Sequence, residues 1–90
     1  MEKIYYLAVF DSKNHAIYLS QYLKRKQLDG FELVSTPCKI KSGCSYSIKF
    51  TNYELHKVLL EEVQAINKTI AGFYEVNRSY GRRIIKKLSI

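Results

Sequence analysis

Two stretches, Phe31-Glu32-Leu33-Val34-Ser35-Thr36-Pro37 and Ser45-Tyr46-Ser47-Ile48-Lys49-Phe50, decide the fold, because only residues 38–44 separate them. The first is a short run of strand formers, closed by a proline that cannot donate to a sheet ladder. In the second, Tyr46, Ile48 and Phe50 alternate with Ser45, Ser47 and Lys49, the period-two pattern of a half-buried strand. The intervening loop, Cys38 to Cys44, carries Ser42 and Gly43 as turn formers. Two strands in direct succession are therefore expected in the middle of the chain.

Outward from this pair the pattern changes to helical spacing on both sides. From Lys13 to about Gln27, Ala16, Leu19, Ser20 and Leu23 recur on one face, and Lys24, Arg25 and Lys26 sit near the end where cations complement the helix dipole. Ser12 is placed to cap this helix, and Asp29-Gly30 turns the chain after it. After Phe50, Thr51 or Asn52 can cap a second helix, with Glu54 as the partner of a capping box. Leu55, Val58, Leu59, Val63 and Ile66 form its apolar stripe, and Glu61-Glu62 reads as solvated face. At the ends lie the apolar run Ile4 to Phe10, suited to a buried central strand, and a short last strand, Phe73 to Val76, after Gly72.

The order β-α-β-β-α-β over residues 1–76 predicts an α+β, ferredoxin-like domain: a four-stranded antiparallel sheet with two helices on one face. With the first strand running upward, three segments meet at the top: Asp11-Ser12, the Cys38–Cys44 loop, and Thr69 to Gly72. The remaining residues, 77–90, read as a basic amphipathic tail leaving from the opposite end.

Charge is distributed unevenly along the 90 residues. The net charge is +7, from 15 basic and 8 acidic residues. Arg78, Arg82, Arg83, Lys86 and Lys87 fall in the tail, which has no acid, so residues 1–76 carry ten basic and eight acidic groups, a net +2. Plotted as a helix, the tail sets Tyr80, Ile84, Ile85 and Leu88 against Arg82, Arg83, Lys86 and Lys87. Such a segment suits nucleic acid, an anionic surface or a partner groove, or its apolar stripe packs on the domain's own sheet.

A length of 90 residues allows one small core and excludes large multi-domain enzymes. No apolar run approaches the roughly 18 residues of a membrane span. Met1-Glu2-Lys3 leads straight into a strand pattern with no small-residue cleavage site, so a cytoplasmic protein is expected. Paired carboxylates, a glycine-rich phosphate loop and a Ser-His-Asp pattern are not found. Twelve aromatic residues are many for this length, yet Tyr46-Ser47-Ile48-Lys49-Phe50 lacks the pattern of RNA-recognition modules and suits the face under the helices.

Cys38 and Cys44 are the chemistry-bearing pair. A thiol reacts as its thiolate and needs positive surroundings. Lys39, Lys41, the helix start beyond Ser12, and backbone amides around Gly43 can supply them, at the end where the topology gathers these segments. The bland reading is that free cysteine is often just a small buried hydrophobe. Their spacing does not match a metal site, so neither a metal nor any other cofactor is expected. A permanent disulfide does not suit the cytosol, whereas a transient one does.

Phe10-Asp11-Ser12, Ala16, Leu33-Val34-Ser35-Thr36-Pro37, Ile40-Lys41-Ser42-Gly43-Cys44 and Ile48-Lys49-Phe50 together resemble the small DUF3343 family, whose members are described as selenium/sulfur carrier protein-like. The resemblance covers about residues 4 to 76. Ser12 matches the family serine after the first strand, Thr36 and Pro37 its threonine-proline, and Ile40, Ser42, Gly43 and Cys44 the segment ending in its cysteine. Cys38 stands where the family usually has arginine, and Ser45 where it usually has glycine.

The resemblance implies a sulfur or selenium carrier, or thiol relay, rather than a stand-alone enzyme. Cys44 would accept persulfide or selenide, Cys38 would be the auxiliary thiol, and Lys39, Lys41, Ser12 and Gly43 would stabilise the anion. Its partners would be donor and acceptor enzymes. Beside it stands a binding or regulatory module whose tail docks nucleic acid or a protein, with structural cysteines. A third reading is a homodimer joined through the open sheet face.

Overall fold

A computed structural model describes residues 3–41 and 45–90. The elements are β1 (Lys3–Val9), α1 (Lys13–Arg25), β2 (Glu32–Ser35), β3 (Tyr46–Phe50), α2 (Leu55–Ala65), β4 (Gly72–Ser79) and β5 (Arg82–Leu88). They form one sheet in the order β2-β3-β1-β4-β5, with every neighbouring pair antiparallel. The first four strands keep the expected ferredoxin-like order. The sheet has five strands, however, not four.

The fifth strand replaces the helix drawn for the tail. Tyr80 and Gly81 both have positive φ, 53° and 75°, and fold β4 back on itself through a two-residue turn. Seven residue pairs then run from Ser79↔Arg82 to Phe73↔Leu88. As a strand, the segment turns Leu88 toward the helices and Ile85 toward the other face, so each packs against a different apolar cluster. It also satisfies backbone groups that β4 would expose as a sheet edge.

Both helices lie over one face of the sheet. Ala8, Ile48, Phe50 and Phe73 from the strands meet Ala16, Leu19 and Leu23 from α1 and Leu59 and Val63 from α2, all buried. Tyr46, Ile48 and Phe50 do lie under the helices, as their alternation predicts. Phe50 is the hub of the aromatic contacts, stacked on Tyr6 at 5.6 Å and edge-on to Phe31 and Phe73 at 6.2 Å each.

Both helices end on a left-handed residue, Gln27 after α1 and Asn67 after α2. In each case the next amide reaches back five residues, Leu28 N–H to Leu23 C=O and Lys68 N–H to Val63 C=O, which closes the helix end. Gly30, at φ +94°, takes the chain into β2 where a Cβ would lie only 2.8 Å from Leu55 Cδ1.

Three local expectations change. Ser12 occupies the cap position of α1, but its hydroxyl makes no capping bond. At α2 the Asn52 side chain accepts from the Glu54 amide at 3.1 Å, while Glu54 turns forward to Lys57 at 2.9 Å instead of back to close a capping box. Glu62 is not on a solvated face. It is buried and ion-paired with Lys26 at 2.6 Å, joining the end of α1 to α2. The hydrogen bond to Glu62 raises the Lys26 ammonium above its ordinary pKa, against the smaller opposing effect of desolvation.

Candidate functional site

The face opposite the helices has a smaller cluster of its own. Leu7, Val9 and Val76 are buried there, although no helix covers them. Tyr5, Tyr74, Val34 and Ile85 flank them, and Ile40 packs on them from the loop between β2 and β3. That loop leaves β2 at the sheet end and folds over the open face.

Local bonds fix its course. The Thr36 amide donates to the Ser45 carbonyl at 3.0 Å, and the buried Thr36 and Ser47 hydroxyls are 2.5 Å apart. These bonds hold entrance and exit together. Pro37 then starts a single helical turn, its carbonyl accepting from the amides of Ile40 at 2.9 Å and Lys41 at 3.2 Å. The turn directs Ile40 inward to the sheet and leaves Cys38 an exposed free thiol.

Lys41 links the loop to the start of α1. Its ammonium donates to the Asp11 carbonyl at 3.0 Å, beside Ser12. The Ser12 hydroxyl does not cap and no acid lies in the first turn, so the amides of Lys13 and Asn14 have no side-chain cap, while His15 N–H donates to the Ser12 carbonyl at 3.1 Å. Ala71 N–H donates to the Val9 carbonyl at 2.8 Å, which brings the end of the α2–β4 connection to the same rim. The expected gathering at one end therefore holds for Asp11-Ser12, Lys41 and Ala71-Gly72. Gly43 and Cys44 lie outside the described residues.

Lys39 stands apart from that group. It shares a cavity of ≈470 Å³ with Gly81, Arg82, Arg83 and Ile84, beside the β4–β5 turn. The tail cations divide by register. Arg78, Arg83 and Lys87 fall in register with Lys3, Arg78 and Tyr74 on the open face. Arg82 and Lys86 fall on the helix side, Lys86 opposite Glu75.

Three placements follow only from the fold. Ile40 closes the loop onto the sheet, Lys3 falls in register with Arg78, and Ser45 keeps a buried hydroxyl that finds no partner among the described residues. Ile40 stands in the segment that carries the resemblance, but its inward direction depends on the helical turn at Pro37. Lys3 has no mark in the sequence and Ser45 only its departure from glycine, since what each does depends on register and on the loop's path.

Among the described residues no three His, Cys, Asp or Glu side chains come together as metal ligands. No described helix is long and apolar enough to cross a membrane. A family profile described as "Putative Se/S carrier protein-like" matches residues 5–75. No curated protein and no solved structure gives a significant match.

Proposed function

The chain belongs to that Se/S carrier-like family, and from this membership we propose that it carries sulfur or selenium on a loop thiol, passing it between partner proteins. The match spans the whole β2–β3 loop, so both cysteines fall within the family region. The observation that carries the reading is an exposed Cys38 on a loop whose Lys41 is tied to the open start of α1. A loop bearing cations and unfilled helix amides can hold a sulfur anion.

The chemistry is exchange at sulfur, with no net oxidation. The Cys44 thiolate attacks the outer sulfur of a donor persulfide. A new S–S bond forms as the donor's S–S bond breaks, and the donor leaves as its thiolate. A selenium-bearing donor of the same type would load selenium by the same displacement. Unloading follows when an acceptor nucleophile takes the outer atom and returns the Cys44 thiolate. Alternatively, the Cys38 thiolate attacks the inner sulfur, forms a Cys38–Cys44 disulfide and expels hydrosulfide, and an external dithiol then reduces the disulfide to restore both thiols. Lys41 and the α1 amides near Ser12 stabilise the loaded anion.

The test is intact mass after exposure to a low-molecular-weight persulfide. Wild type is expected to gain a sulfur atom and Cys44→Ser to gain none, with the fold unchanged by circular dichroism. Cys38→Ser should stay loaded longer, because the internal release step is gone. Loading retained in Cys44→Ser would refute the assignment.

A further inference from the structure

The carrier chemistry makes no use of the sheet end where β4 turns into β5. Register there sets Lys3 of β1 beside Arg78 of β4, and Arg78 beside Arg83 of β5. These three positions lie on the open face, each two residues from Tyr5, Val76 or Ile85 of the apolar cluster there. A fourth cation comes from the loop, since Lys39 lines the ≈470 Å³ cavity with Gly81, Arg82, Arg83 and Ile84. The ion pairs among the described residues are Lys26–Glu62, Lys49–Glu32 and Lys57–Glu54, and none of them neutralises this group.

Like charges directly opposite on adjacent strands destabilise a sheet. Cations on β5 are accounted for as protection of an edge strand against pairing with other chains. That account does not extend to Lys3, on an inner strand, or to Lys39, which arrives from another loop.

The turn itself provides an independent observation. With φ values of 53° and 75°, Tyr80-Gly81 forms the type of two-residue turn in which asparagine-glycine is favoured. A bulky residue at the first position is strained. Burial does not offset that strain, because Tyr80 is 97% exposed. The chain thus holds an aromatic ring in solvent, at a conformational cost, next to a cluster of cations that no described residue ion-pairs.

We propose that this end of the sheet binds a nucleoside di- or triphosphate. Lys3, Lys39, Arg78 and Arg83 hold the phosphates through charge-assisted hydrogen bonds, and Tyr80 stacks on the base. Three cations side by side on adjacent strands, about 4.8 Å apart, favour adjacent phosphates on one small molecule over an extended nucleic-acid backbone. The arginines suit phosphate because the guanidinium fork can donate two parallel bonds.

The test is calorimetric titration of the full chain at low salt with ATP, tripolyphosphate and a short oligodeoxythymidine. Arg83→Gln and Lys39→Gln are each expected to weaken ATP and tripolyphosphate about tenfold, the loss of one charge-assisted bond. Lys13→Gln and Lys24→Gln, on α1, should change neither. Tyr80→Asn should weaken ATP, leave tripolyphosphate unchanged and raise the melting temperature of the free protein. Arg78→Gln should raise it too, by relieving repulsion. The proposal is overturned if ATP does not bind, if the α1 variants weaken binding equally, or if Arg78→Gln lowers the melting temperature. Tighter binding of the oligonucleotide than of ATP would also overturn it, in favour of a nucleic-acid surface.

Discussion

The two faces of the sheet bury apolar side chains by different means. Under the helices, buried residues from the strands, both helices and Phe10 after β1 form one cluster. On the other face three buried residues rely on half-buried neighbours and on Ile40 from a loop. The first is held by regular elements, closed at the helix C-termini and joined by the Lys26–Glu62 ion pair. The second is closed by the segment that carries the cysteines. A core built from helices can be rigid without constraining chemistry, whereas a core closed by a reactive loop couples packing to exposure of the thiols.

Substitutions on the two sides should separate these roles. The largest loss is expected for Phe50→Ala, about 3–5 kcal/mol for a large buried aromatic, read by denaturant unfolding. Next comes Ser47→Ala on the open side. It leaves the buried Thr36 hydroxyl without its partner and should cost about 1–3 kcal/mol. A smaller loss is expected in Thr36→Val,Ser47→Ala, which removes both hydroxyls, and an equal loss would show that the unpaired Thr36 hydroxyl carries no penalty of its own.

Ile40→Ala should cost less, about 1–2 kcal/mol, because the side chain is only half-buried. It should also speed alkylation of the loop thiols, an effect Phe50→Ala should not have under native conditions. Equal alkylation rates in wild type and Ile40→Ala would break the coupling between the open-face core and the thiol loop.

The smallest effect concerns the helix side. Lys57, first by hydrogen bonding and then by its charge, holds the Glu54 carboxyl below its ordinary value of 4.5. Glu54 in the same order raises Lys57 above 10.5. A lowered carboxyl pKa stabilises above the unfolded value and loses that contribution as pH falls through the folded value. A raised ammonium pKa stabilises below 10.5 and loses its contribution as pH rises beyond the folded value. Glu54→Gln should therefore remove a slight stability gain present between these limits and leave strongly acidic stability unchanged, as read from melting temperature against pH. Both groups are exposed, so the change should be small.

Much of the helix side was legible in the residues. Ala16, Leu19, Ser20 and Leu23 are the buried residues of α1 that their spacing predicts. Tyr46, Ile48 and Phe50 go under the helices because alternation fixes which side chains share a face. Glu62 was misread because a charge at a helical position looks solvated until a cation from another helix is found beside it. The tail was misread because Ile84 and Ile85 fit an amphipathic helix and a two-faced strand equally well over so short a segment. The turn at Tyr80 gave no warning, since tyrosine is not the residue that turn favours.

The candidate site was legible as residue types rather than as geometry. Cys38, Lys39 and Lys41 were identified together from adjacency. Their destinations differ: Cys38 to solvent, Lys39 to the β4–β5 turn and Lys41 to the Asp11 carbonyl. One helical turn at Pro37 is enough to send neighbouring side chains in different directions.

The sequence by itself determined the order of the first six elements, their apolar faces and the family, because periodicity and short motifs are local properties of the chain. Only the tertiary structure decided that residues 82–88 complete the sheet, that Ile40 closes its open face, and that Lys3, Arg78 and Arg83 stand in one row. Those outcomes depend on register between strands distant in the chain, and on satisfying an edge that exists only once the other strands have paired.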